Sequence, residues 1–179
     1  MRVFSLILLF IVVLTSCSDL SKGEQLAKIE QLNKTVDSIQ TVLIENKIDE
    51  IEKLSIEAQS VVSRIKENLN SDTLDLKLAK DIDKYMVMFR SIGNIKTIYP
   101  QIKKSTKIEK ITLIKLERDI DNGNGDRNKY SHYVSFETKK VNSLNQNLKN
   151  YVIERKKIID IYLAFHEKLY DYSFDLITK

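Results

Sequence analysis

The chain has 179 residues, with one Pro, four Gly, no Trp and a single Cys. Pro and Gly ordinarily make up about 12% of a chain, so five of them leave too few turn formers for an all-β domain, and a lone Cys excludes an internal disulfide framework and a Cys-rich zinc site. Charged residues at 30% against hydrophobic ones at 42% exclude a disordered chain and a polytopic membrane protein, which leaves one all-α domain of long helices.

At the N-terminus, Arg2 supplies a positive charge, Val3 to Leu14 is an almost unbroken apolar run, and Thr15 and Ser16 are small. This is the pattern of a secretory signal peptide over residues 1–16, too short to span a bilayer as a helix. The next residue is the only Cys. Leu14-Thr15-Ser16-Cys17 resembles the lipobox of bacterial lipoproteins, in which a diacylglycerol is attached to the Cys thiol and the signal is cut off before it. The resemblance implies lipidation at Cys17, a palmitate-type anchor, and residues 17–21 as a short lipidated tether. Each buried acyl CH₂ contributes about 0.8 kcal/mol and stable anchoring needs two chains, so such a group fixes a protein to a membrane. Cys17-Ser18-Asp19, with 23 Lys against 6 Arg and abundant Ile and Asn, is similar to lipoproteins of the Bacteroidota. The expected location is the cell envelope, at the outer membrane rather than the inner one. Cleavage removes Arg2 from the 29 bases and none of the 25 acids, leaving 28 against 25. That balance is near neutral and points to no nucleic-acid partner.

From Lys22 to Leu69, apolar residues recur at Ile29, Leu32, Val36, Ile39 and Leu43, then at Ile51, Leu54, Ala58, Val61 and Ile65. Steps of three and four are the coiled-coil rhythm, and the step of eight from Leu43 to Ile51 is a register fault. Asn68, Asn70, Ser71 and Asp72 predict a helix stop and a new cap. A second segment, Thr73 to Asp121, carries Leu78, Ile82, Tyr85, Phe89, Ile92, Ile95, Tyr99, Ile102, Ile108, Ile111, Leu116 and Ile120. Gly93, Asn94 and Pro100 interrupt it, and an interior Pro costs about 3 kcal/mol, so this helix is expected to be kinked or split near 93–100. Asn122-Gly123-Asn124-Gly125 closes it, with Asp126 as the next N-cap.

The third segment holds the three-four alternation through Val141, Leu144, Leu148, Tyr151, Arg155, Ile158, Tyr162, Phe165, Leu169, Tyr172 and Leu176, with Arg155 the one polar intruder. Segments of 48 (22–69) and 49 (73–121) residues and a third of about equal length (127–174) fit an antiparallel up-down-up bundle of three long coiled-coil-like helices over residues 22–179. The chain resembles long helical lipoproteins of the Bacteroidota, including their turn, in the stretch from Asp119 to Arg127 with Tyr130 beyond it. That resemblance implies architecture alone.

Asp119 to Asp126 is acidic and Gly-rich, but as a calcium loop it would place Gly123 at the fifth position and Tyr130 at the twelfth, where acids are required. His132 and His166 are thirty-four residues apart on one predicted helix, about 50 Å, and cannot share a metal. A Ser nucleophile with its elbow, a Walker loop and a dinucleotide fingerprint are all absent. The expectation is therefore no enzyme, no cofactor and no metal. Lys103, Lys104, Lys107 and Lys110 form a stripe that would suit lipid headgroups or anionic polysaccharide, with a solvated face as the plainer reading.

Two sets of residues stand out as sites. If facing residues are counted across both hairpins, Arg155 falls level with Gly93 and Asn94 and with Asp49 and Glu50. A polar layer is expected there, in which Gly93 leaves room for the guanidinium to reach an acid. Six of the eight Tyr lie between Tyr130 and Tyr172, and Tyr133, Tyr170 and Phe174 fall off the seam, where a partner surface is sought. The resulting expectation is a membrane-anchored, non-catalytic helical spacer or docking module whose partner is another envelope protein. A small-ligand or lipid carrier, and an inhibitor or immunity factor for a secreted enzyme, are the alternatives.

Overall fold

The computed structural model describes the backbone of residues 2–69 and 75–178, and side chains within those ranges from residue 21 onward. The Cys17 side chain, those of the predicted signal and of the tether as far as residue 20, and the predicted turn at Asn70, Ser71 and Asp72 lie outside the described residues. The elements are α1 (Arg2–Glu45), α2 (Asp49–Asn68), α3 (Leu76–Asn122), a 3-10 turn (Arg127–Lys129) and α4 (Tyr130–Thr178). Among the described residues there is no strand, and none of the helices is long and apolar enough to cross a membrane.

The fold is an all-α helical bundle, and the irregularities of the sequence resolve differently in its first two segments. The step of eight between Leu43 and Ile51 becomes a break at residues 46–48, where α1 ends and α2 begins. Asp49, Glu50 and Glu52 occupy the first turn of α2, where carboxylates complement the helix dipole. Of the kink or split expected near 93–100, the split does not occur: α3 runs through Gly93, Asn94 and Pro100 as one helix. Gly93 and Pro100 are both exposed. On that side the carbonyl deprived of a bond by Pro100 is free to meet water, which offsets part of the cost.

At the end of α3 the backbone forms a Schellman cap. The Asn124 N–H donates to the Asp119 carbonyl at 2.8 Å and the Gly123 N–H to the Ile120 carbonyl at 3.2 Å. Gly123 and Gly125 take φ of 68° and 84°, the left-handed region that glycine enters without steric cost. Asp126 then caps the 3-10 turn by accepting from the Asn128 N–H. Tyr130 donates its hydroxyl to the carbonyls of Asn124 and Asp119, tying the turn to the start of α4.

Contacts divide the chain into two compact units: Met1–Val42 with Lys104–Gln146, and Leu43–Lys103 with Asn147–Lys179. In the first unit, Lys22 meets Asp121 and Asp37 meets Lys110, so α1 and α3 run antiparallel. Ile29, Leu32, Val36, Leu113, Ile120, Tyr130, Val134 and Val141 form its core. The exposed and buried faces of α3 here are not those its isoleucines suggest. Ile108 and Ile111 point outward, whereas Thr106, Glu109 and Leu113 are buried.

In the second unit, α2 and α4 run parallel at a nearly fixed offset. Glu50 pairs with Arg155 and Glu57 with Tyr162, each 105 residues on. Antiparallel α3 joins them through Lys96 to Ser55 and Lys168 to Asp81. The seam predicted for α4 is buried at Val141, Leu144, Leu148, Tyr151, Ile158, Tyr162 and Leu169 across the two units.

Candidate functional site

The second unit carries a polar clasp around the break between α1 and α2. A helix end leaves carbonyls without intrahelical partners, and such groups need donors when they are partly enclosed. Two side chains one turn apart on α4 supply them. The Tyr151 hydroxyl donates to the Asn46 carbonyl at 2.6 Å, and Arg155 Nε donates to the Lys47 carbonyl at 3.2 Å. The other arm of Arg155 forms an ion pair with Glu50, in the first turn of α2. Burial pushes the Tyr151 phenol up to about 12, against a smaller opposing effect of the Arg155 charge.

Arg155 and Glu50, two residues of the predicted polar layer, are therefore brought together. Asp49 stays exposed, and Gly93 and Asn94 are exposed on α3. A Cβ built on Gly93 would meet nothing within 4 Å, so the absent side chain does not make room for the guanidinium. The level of Arg155 was legible in the sequence, but the face of α3 turned toward it was not. Ile92 and Ile95 are the residues buried at that height.

Toward the C-terminus of α4 lies an aromatic cluster. His166 stacks on Tyr162 with ring centroids 4.2 Å apart, lies 5.9 Å from Tyr170, and bonds the Tyr85 hydroxyl through Nδ1 at 2.6 Å. The Tyr162 hydroxyl donates to Glu57. Desolvation holds the His166 imidazole below its usual pKa, with Glu57 opposing and Arg64 reinforcing that shift, so the ring is neutral at pH 7. Tyr85 and Tyr162 are pushed above the usual phenol range, chiefly by burial.

Tyr170 and Phe174 continue this cluster to the surface, 41% and 40% exposed, with ring centroids 4.9 Å apart. The Arg64 guanidinium lies 5.1 Å from the Tyr170 centroid and 4.4 Å from that of Phe174, and its Nε donates to the Ser173 hydroxyl at 2.9 Å. Arg64 Nη2 is buried with no hydrogen-bond partner. The two rings are thus held in place from beneath by a cation. Tyr133, the third predicted surface aromatic, is 40% exposed but belongs to the first unit, beside His132. Neither Arg64 nor its contact with the rings was foreseen; its spacing after Val61 gave no sign that it would lie under aromatics of another helix.

In the first unit, Glu109 is buried on α3 and meets Lys140 at 2.7 Å, while Glu137 takes the same ammonium at 2.9 Å. Glu109 Oε2 is enclosed without a partner. Desolvation, reinforced by the neighbouring Glu137, raises the Glu109 carboxyl above its usual range. Burial works against the charge on Lys140, but the two carboxylates prevail and raise its pKa. Of the predicted lysine stripe, Lys103, Lys104 and Lys107 are exposed, whereas Lys110 pairs with Asp37. An open cleft of about 370 Å³ lies at the α3–α4 turn, lined by Ser21, Lys22, Asn122, Arg127 and Tyr130 among others. Among the described residues, no group of three or more His, Cys, Asp or Glu side chains is placed to hold a metal ion.

No family model matches the chain, and neither do curated proteins or solved structures.

Proposed function

We propose that this chain is a membrane-anchored lipoprotein of a bacterial envelope, tethered through acyl chains on Cys17, that acts as a non-catalytic helical spacer and docking module for another envelope protein. The Tyr170–Phe174 surface carries the docking reading. Protein interfaces concentrate their binding energy in aromatic and Arg side chains, and anchors held rigid before binding lose little further entropy when a partner arrives. Tyr170 and Phe174, stacked on Arg64, have both properties. The anchoring reading is supported by the charged start, the twelve-residue apolar run and the lone Cys of the N-terminus. The outer membrane is the proposed location.

Two measurements test the two halves. Cys17→Ser should abolish palmitate labelling while leaving the helical circular dichroism intact; a variant that still labels with palmitate sinks the anchor. A photo-crosslinking amino acid at Tyr170 in growing cells should give a discrete adduct that disappears with Phe174→Ala. A diffuse smear at Tyr170 no sharper than that from Tyr133 sinks the docking surface.

A further inference from the structure

Between Lys104 and Arg118 the pattern of α3 is inverted relative to an ordinary amphipathic helix. Thr106 and Glu109 face the core, while Ile108, Ile111 and Ile114 are exposed, Ile111 to 60%. These isoleucines share the outer face with four cations, Lys104, Lys107, Lys115 and Arg118, all exposed. Positions 104, 107, 111, 114 and 118 follow one another in steps of three and four, so they form a single stripe. No exposed residue in this stretch is acidic. Its two carboxylates are turned elsewhere, Glu109 to Lys140 and Glu117 to the Asn33 amide. On the neighbouring α1, Asp37 is taken by Lys110 and Glu30 by Lys34.

We infer that this face of α3 lies against an anionic lipid bilayer. Charge selects the occupant first: four cations without a carboxylate among them match a surface of anionic headgroups. The isoleucines select it further, because a polysaccharide would take the lysines but offer nothing to an apolar side chain, whereas the headgroup boundary of a bilayer accepts both. The chain also arrives at the right end. Lys22 of α1 pairs with Asp121, at the end of α3 just beyond Arg118, and Cys17 is five residues before Lys22, at most about 17 Å of chain. The inference rests on the lipoprotein reading only for bringing a bilayer near.

The chain contains no Trp, so Ile111→Trp in the full chain, produced in a lipidating host, gives a single fluorescent reporter on this face. Ser143→Trp, at an exposed position of α4 in the same unit, is the control. Each protein is reconstituted on phosphatidylcholine vesicles with and without phosphatidylglycerol. Emission at position 111 should shift to the blue and be quenched by brominated lipid on the anionic vesicles alone. Position 143 should not respond, and replacing Lys104, Lys107, Lys115 and Arg118 with Gln should remove the response at 111. Equal signals on neutral and anionic vesicles, equal quenching at 143, or a response that survives the four Gln replacements would overturn the proposal. A blue shift that grows with protein concentration without vesicles would assign the face to a second copy and overturn it as well. The intact mass of the same protein reports acylation at Cys17 separately: an acylated protein with a silent 111 reporter refutes the face alone, and an unacylated one with a responsive reporter refutes the anchor alone.

Discussion

Arg155 occupies a seam position that the heptad of α4 would give to an aliphatic side chain, and there it closes a gap in another helix. Its donors reach a carbonyl in the break after α1, that of Lys47, and a carboxylate at the start of α2. The charged intruder and the register fault were both visible in the sequence, and counting along the helices placed them near one height. Counting gives height but not rotation, and a helix turns 100° per residue, which is why Gly93 and Asn94 matched in level and failed in orientation. Glu50 is half-exposed and the Lys47 carbonyl can recover water, so Arg155→Leu should cost only about 1–2 kcal/mol in urea denaturation. Arg155→Glu would set a carboxylate against Glu50 and a carbonyl, and should cost about 3 kcal/mol or more. Equal losses for the two variants would show that the clasp is not electrostatic. His166 gives a second test, through pH. Its folded pKa is depressed, so the unfolded chain binds the proton first as pH falls below about 6.5. The stability due to the neutral ring is thus full above that pH and is lost on acidification through the folded pKa. The groups facing it are Tyr85 on α3, Glu57 and Arg64 on α2, and Tyr162 and Tyr170 on α4. His166→Asn keeps a hydrogen-bonding partner for the Tyr85 hydroxyl, since its amide can donate or accept, and removes the titration. Its melting temperature should therefore fall less between pH 7.5 and pH 5 than that of the parent chain.

At the scale of an element, α3 separates what hydrophobicity shows from what periodicity shows. Picking out isoleucines placed Ile108 and Ile111 in the bundle. The helix instead keeps its rhythm from Ile102 through Thr106, Glu109 and Leu113 to Ile120, burying whatever residue falls on the three-four steps. Continuity of the helix decides this, since bringing Ile108 and Ile111 inward would turn Ile102 and Leu113 out. Glu109 is tolerated in the buried row because Lys140 reaches one of its oxygens. The two other helical segments were legible because nearly every seam position is apolar: Ile29, Leu32, Val36, Ile39 and Leu43 are all buried as their spacing requires. A pair of truncations one turn-fraction apart distinguishes the two faces of α3. Leu113→Ala should cost about 2–5 kcal/mol by leaving a cavity in the core of the first unit. Ile111→Ala, on the exposed face, should change stability by about 0.5 kcal/mol or less. Comparable losses at the two positions in chemical denaturation would restore Ile111 to the core.

For the whole molecule, one Pro and four Gly are too few turn formers for anything but long helices, and only Gly123 and Gly125 sit at a reversal, while Gly23, Gly93 and Pro100 lie inside helices. What the composition could not carry is a ligand or partner, since helix seams are filled by the same aliphatic residues whatever the bundle docks against. The α3–α4 reversal is where sequence and topology meet most directly. Gly123 and Gly125 both sit at positive φ, and they differ in surroundings. A Cβ on Gly125 would meet nothing within 4 Å, whereas one on Gly123 would lie 2.3 Å from the end of the Arg127 side chain. That end is flexible and exposed, so it can swing away at little cost, and backbone strain should dominate at both sites. Gly123→Ala and Gly125→Ala are accordingly expected to destabilise by similar amounts, about 1–2 kcal/mol each. Asn at either position should cost less than Ala, because its short polar side chain enters the left-handed region more readily. If Gly123→Ala proves much the worse of the two in urea denaturation, the Arg127 side chain is fixed over the cap, and a second substitution, Arg127→Ala, should then recover the difference.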